Sequence, residues 1–133
     1  MLCNKNIVIF INEDGSENIE ILRPDSIDGL QIDISGSDNK LRISRDQKFF
    51  GCNLNIYGNR NILDIGLSKN PIYNSLFHFA PKGDDRLIEI AEGFSGGGHF
   101  RVVEHGTYIK MGADCLFSWE ITVMASDYHA IYN

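Results

Sequence analysis

Four histidines are the residues in this chain most able to move a proton near neutral pH, because an unperturbed imidazole titrates at about 6.5. Three of them have unremarkable surroundings. His78 is the middle residue of an apolar-x-apolar triplet, Phe77-His78-Phe79, and so faces outward; His99 and His105 stand beside glycines at corners. An imidazole with no orienting partner in its sequence neighbourhood is weak evidence of catalysis. His129 has company, in the run Ser126-Asp127-Tyr128-His129. A neutral imidazole there could take a proton from a hydroxyl, and a carboxylate two residues earlier could hold its tautomer and raise its basicity. A loop histidine solvated beside an acid has the same sequence, so the residues alone leave both readings open. No histidine or cysteine pair has metal-ligand spacing, and no Ser/His/Asp set assembles from the sequence.

The elements that must position these residues are short strands. Apolar residues recur at every second position in Ile19-Glu20-Ile21, Ile32-Asp33-Ile34, Leu41-Arg42-Ile43, Leu54-Asn55-Ile56, Leu63-Asp64-Ile65, Phe77-His78-Phe79, Ile88-Glu89-Ile90, Phe100-Arg101-Val102, Ile109-Lys110-Met111 and Ile121-Thr122-Val123. A period of two with one apolar face predicts half-buried strands whose middle residues point outward.

The triplets also repeat at long range. Ile32-Asp33-Ile34-Ser35-Gly36 aligns with Leu54-Asn55-Ile56-Tyr57-Gly58, Leu41-Arg42-Ile43 with Leu63-Asp64-Ile65, and Phe100 and Val102 with Ile121 and Val123. Ile19-Glu20-Ile21 stands one such interval before Leu41. The interval lengthens between Leu63 and Ile88, and the polar filler Ser68-Lys69-Asn70-Pro71 is the expected bulge. Near-constant spacing of this size marks a solenoid, in which each repeat buries its apolar face against its neighbours. Gly and Asn corners (Gly36, Asn39, Gly58, Asn61) suit a parallel β-helix; an Ig-like sandwich would instead show hairpin turns. The chain therefore reads as all-β: a single-stranded parallel β-helix with irregular coils, one domain over residues 1–133 with about five to six coils.

Phe49, Phe50, Tyr73, Phe94 and Phe117 fall between the two triplets of successive coils, where a third face would lie, and are expected to fill the core or its corners. Gly96-Gly97-Gly98 lacks the Lys-Ser/Thr and helix of a phosphate loop and reads as a tight corner.

At 133 residues with a net charge of −6, the chain is long enough for one buried core and carries no Lys/Arg cluster that would mark a nucleic-acid or anionic-membrane face. Cys3, Cys52 and Cys115 are odd in number and widely spaced, as expected of reduced thiols. The early run Ile7-Val8-Ile9-Phe10-Ile11 is too short to span a bilayer. These features lead us to expect a cytoplasmic protein with no membrane span and no bound metal.

The segment Gly112-Ala113-Asp114-Cys115-Leu116-Phe117-Ser118-Trp119-Glu120-Ile121-Thr122-Val123-Met124-Ala125-Ser126-Asp127-Tyr128-His129-Ala130-Ile131-Tyr132 resembles the signature of the hexapeptide-repeat acyltransferases, in their sugar and polysaccharide O-acetyltransferase branch. The resemblance is close over about twenty residues and architectural over the rest. It implies a left-handed parallel β-helix whose coils carry added loops, and a homotrimer with active sites between neighbouring helices. It further implies acetyl-CoA as co-substrate, a saccharide or glycoconjugate acceptor, His129 as general base and Asp127 as its orienting partner. Trp119, Tyr128 and Ser126 would face the sugar. Members carry further coils after the histidine loop, which form most of the acetyl-CoA groove. With the chain ending at Asn133, the expectation is an incomplete donor site. The rival readings are a non-catalytic β-helical assembly or carbohydrate-binding remnant, and a right-handed β-helix of the polysaccharide-lyase kind. The second would need a charged cluster on adjacent outward positions, and Arg42, Asp64, Glu89 and Lys110 do not suggest one.

Overall fold

In the computed structural model, which describes residues 5–115 and 121–125, alternation becomes three faces of a coil. The first sheet contains β1 (Ile7–Ile11), β2 (Glu17–Ile21), β4 (Lys40–Ser44), β7 (Ile62–Ile65), β10 (Leu87–Ile90) and β12 (Tyr108–Met111), in the order β12-β10-β7-β4-β1-β2. The second contains β3 (Leu30–Ser35), β6 (Cys52–Tyr57), β9 (Leu76–Phe79), β11 (His99–Val102) and β13 (Thr122–Ala125), stacked in chain order. A short third face pairs β5 (Phe49–Phe50) with β8 (Ile72–Tyr73). Among the described residues every strand pairing but one is parallel, and each of these parallel pairs joins a strand to its counterpart one coil on. The protein is thus an all-β parallel solenoid of about four turns, a β-helix with irregular coils of the left-handed class.

The inward residues form continuous columns. In the second sheet Ile32, Leu54, Phe77 and Phe100 stand in register, followed by Val123; in the first, Val8, Leu41, Leu63, Ile88 and Ile109 do the same. All except Val123, which is partly buried, lie in the core. Phe77 and Phe100 stack with ring centroids 5.4 Å apart, and Phe94 meets Phe100 edge-on at 6.0 Å. Each such side chain contributes about 1.5–3 kcal/mol, so the columns supply the hydrophobic stabilisation that a globular core would otherwise provide.

The single antiparallel pair corrects the expectation for Ile19-Glu20-Ile21. β2 is not a rung of the coil: it folds back on β1, with Ile19 opposite Ile9 and Ile21 opposite Ile7. Leu41 stacks instead on Val8. Among the described residues β2 is the edge of its sheet, and Ile19 is 57% exposed. An open groove of about 500 Å³ runs beside it, lined by Ile19, Glu20, Ile21, Arg23, Asp25 and Ser26. The bulge also lies elsewhere than expected. The turn from the second sheet to the first between β9 and β10, residues 80–86, takes two more residues than its counterpart between β6 and β7. The segment around Ser68-Lys69-Asn70-Pro71 takes only one extra.

That turn holds the polar spine of the fold. Asn39 and Asn61 are fully buried and stack one coil apart. The Asn39 backbone and side-chain amides donate to Asn6 Oδ1 (3.1 and 3.0 Å), the Asn61 N–H donates to Asn39 Oδ1 (2.8 Å), and the Arg86 N–H donates to Asn61 Oδ1 (3.1 Å). Arg86, 1% exposed, ends the series. Its Nε donates to Asn61 Oδ1 (3.0 Å), Nη1 to the carbonyls of Val102 and Val103 (3.3 and 2.7 Å), and Nη2 to those of Tyr57 and Gly83 (2.6 and 2.9 Å). Five N–H groups meet five acceptors on three successive coils, which offsets the cost of burying the charge. Burial pushes the guanidinium pKa down, while the nearby Asp84 carboxylate pulls it up.

The same corner accepts no side chain at Gly58. Its φ is +89°, and a Cβ there would sit 1.9 Å from the Gly83 carbonyl oxygen. Arg86→Met removes donors from four buried or part-buried carbonyls and from the buried Asn61 amide oxygen, and is expected to lower stability by about 3–5 kcal/mol in urea unfolding. Gly58→Ala is expected to be destabilising as well, by at least the roughly 1–3 kcal/mol of a strained positive-φ position.

Candidate functional site: the outer face of the second sheet

The outward residues of β3, β6, β9, β11 and β13 form a second set of columns. Asp33, Asn55, His78, Arg101 and Met124 stand in one line, each opposite the next. Gln31, Asn53, Leu76, His99 and Thr122 form the parallel line, and Tyr57 pairs with Ser35 at the end of β6. Parallel stacking sets neighbouring members about 4.8 Å apart.

Three contacts tie the first line together. The Tyr57 hydroxyl donates to Asp33 Oδ2 at 2.7 Å. Asn55 Nδ2 lies 3.3 Å from His78 Nδ1, and the Tyr57 and His78 rings meet edge-to-face with centroids 5.9 Å apart. An amide nitrogen can only donate, so His78 Nδ1 accepts and its proton sits on Nε2. Burial lowers the His78 pKa, and the positive charges of Arg101 and Arg86 lower it further. The hydrogen bond to Asp33 raises the pKa of Tyr57, with burial and the Asp33 charge adding to it. Near neutral pH the face therefore offers a neutral imidazole and a protonated phenol, beside the side chains of Asp33, Asn55 and Arg101.

The adjoining corner is charged. Arg60 holds Asp85 through two hydrogen bonds of 2.8 and 3.1 Å and reaches Asp84 at 3.7 Å. His105 Nε2 stands 3.8 Å from Asp85. The hydrogen bond from Arg60 is the main reason that the Asp85 carboxyl titrates below the usual range, with the Arg60 and His105 charges assisting. Among the described residues, no group of three His, Cys, Asp or Glu is disposed to hold a metal ion.

Of the histidines, His78 faces outward as expected, but it is half-buried and hydrogen-bonded rather than simply solvated. His99 and His105 are exposed. Trp119, Ser126, Asp127, Tyr128 and His129 lie outside the described residues, as does Phe117. Phe49 and Phe94 are buried as expected, whereas Phe50 and Tyr73 stack on each other at 5.3 Å with about half their surface exposed. Gly97 sits in a tight corner, where a Cβ would lie 1.8 Å from the Tyr73 carbonyl oxygen. Arg42, Asp64, Glu89 and Lys110 do share one outward line on the first sheet, with Arg42 paired to Asp64 at 3.4 Å and to Glu17 at 3.3 Å.

Asp33, Asn55, Tyr57 and Arg101 are residues that reading the sequence did not single out. Their signal was present: they are middle or flanking residues of triplets that align at the coil interval, so register alone brings them together.

No protein-family model, no curated protein and no solved structure matches this chain.

The depressed His78 pKa makes a prediction about pH. The unfolded state binds the proton more readily than the folded one, so stability gained from neutral His78 is complete above its unfolded pKa of about 6.5 and is lost as pH falls through the folded value. An NMR titration is expected to put His78 below 6.5. The fall in melting temperature between pH 7 and pH 5 should be smaller in His78→Gln than in the parent.

Proposed function

We propose that this chain is an O-acyltransferase of the hexapeptide-repeat kind, moving an acetyl group from acetyl-CoA to a hydroxyl of a saccharide or glycoconjugate. The observation that carries the reading is the parallel solenoid itself: β13 stacks in register on β11, with Thr122 opposite His99 and Ala125 opposite Val102. The Ser126-Asp127-Tyr128-His129 run follows that strand directly in sequence. The fold is compatible with the acyltransferase class in general, and the residue string resembles its catalytic loop.

In this reading His129 takes the proton of the acceptor hydroxyl while that oxygen attacks the thioester carbonyl. The carbon–sulfur bond breaks, and the proton passes to the departing CoA sulfur. Asp127 orients the imidazole; Trp119, Tyr128 and Ser126 contact the sugar. A homotrimer would complete the site between subunits, and the cytoplasm, where acyl-CoA donors are made, is the proposed compartment. No described helix is long and apolar enough to cross a membrane.

A second reading, saccharide binding without transfer, is favoured by the hydrogen-bonding outer face of the second sheet. Turnover separates the two. With acetyl-CoA and a panel of oligosaccharides, thiol release is expected from the parent chain and is expected to fall by about 10²–10⁴ in His129→Ala. A folded protein that releases no thiol, and whose melting temperature does not rise with acetyl-CoA concentration, would refute the transferase reading.

A further inference from the structure

The line Asp33–Asn55–His78–Arg101 carries, at Arg101, a cation with no counterpart among the described residues. Arg101 is half-buried on β11, and none of its side-chain donors has a hydrogen-bond acceptor or ion-pair partner among the described residues. Four of the other five arginines differ, and the fifth, Arg23, is exposed. Arg42, Arg45 and Arg60 hold carboxylates, and Arg86 is saturated by carbonyls and an amide. Its column neighbours are the neutral His78 on one side and Met124 on the other, neither of which balances its charge. A guanidinium held this way is a ready fork for a carboxylate.

The rest of the line has a different character. Asn55 is occupied on its amide side by His78 but retains its carbonyl oxygen; His78 presents Nε2–H; Asp33 has one carboxylate oxygen on Tyr57 and another to spare. These are neutral donors and acceptors mixed with one anion, one per coil, beside the edge of an aromatic ring. That pattern suits a chain of hydroxyls, and it suits phosphodiester backbones poorly, since they need several cations in a row.

We propose that the outer face of the second sheet binds an acidic glycan, laid along the solenoid axis across β3, β6, β9 and β11. Its carboxylate sits on Arg101, and the hydroxyls of neighbouring sugars bond His78 Nε2, the Asn55 carbonyl and Asp33. This names a surface for the saccharide of the functional reading above and rests on that reading for the class of ligand. It does not require acetyl transfer, and its readout is binding.

The test is isothermal titration of the full chain at low and physiological salt. Three carboxylated oligosaccharides serve as probes (hexagalacturonate, hexamannuronate and α2,8-linked tetrasialic acid), beside methyl-esterified hexagalacturonate and a hexaglutamate peptide as controls. At least one acidic oligosaccharide is expected to bind at least tenfold tighter than both controls. Arg101→Gln is expected to reduce that preference to twofold or less, Asp33→Asn with Tyr57→Phe to weaken binding to acidic and esterified sugar alike, and Lys110→Gln, on the other sheet, to leave affinity unchanged. Circular dichroism melts qualify each variant, and Arg101→Lys, which keeps the charge but not the fork, stands in if Arg101→Gln unfolds. The proposal is overturned if no acidic oligosaccharide binds, if hexaglutamate binds equally well, or if Lys110→Gln weakens binding as much as Arg101→Gln. Binding that survives while thiol release is absent would retain this surface and remove only the transferase reading; the converse would remove this surface alone.

Discussion

Burying polar groups at the corner between the first and second sheets is the constraint on which the rest of the structure depends. Apolar columns favour stacking and exclude a one-residue slip, which would turn the buried face outward, but a slip of two residues would keep Ile and Leu inside, so the columns do not fix where each coil turns. The corner amides remove that freedom. Asn39 and Asn61 each bind backbone groups of the coils beside them, and Arg86 links three coils through five hydrogen bonds. A register slip would leave these buried groups without partners, at about 1–3 kcal/mol each.

Arg86 also accounts for the irregularity of the solenoid. Where two earlier coils use an asparagine, the third carries a longer side chain, and the turn of residues 80–86 is correspondingly larger. Gly83 approaches Gly58 closely enough to exclude a Cβ and supplies one of the carbonyls that Arg86 binds. The enlarged turn brings Asp84 and Asp85 to the surface against Arg60, so the interior substitution and the charged corner belong to one structural event.

The outer face follows from the same fixed register. Because the coils do not slip, the middle residues of successive triplets are stacked whatever their chemistry, and the face becomes a linear array of side chains rather than a pocket. Such a surface is suited to an extended ligand with a repeat of its own. The hairpin of β1 and β2 closes the order of the sheet at the other end by different means: an antiparallel edge, lightly buried, beside an open groove.

Much of this was determined by the sequence alone. Alternation in triplets such as Leu54-Asn55-Ile56 dictated strands with one buried face, and the coil interval dictated parallel stacking, because only a solenoid repays that regularity. The outward direction of His78 and the tight corner at Gly97 came from the same pattern. Ile19-Glu20-Ile21 has that alternation too, yet only the tertiary structure decided that it pairs backward on β1: a triplet records which residues share a face, not which strand will cover them. Partnership at long range was equally invisible. Arg86 reads as a surface charge until five acceptors from three coils surround it, and Asp33, Tyr57, His78 and Arg101 are unremarkable singly. They become a face only when the stacked backbone carries each of them onto the next.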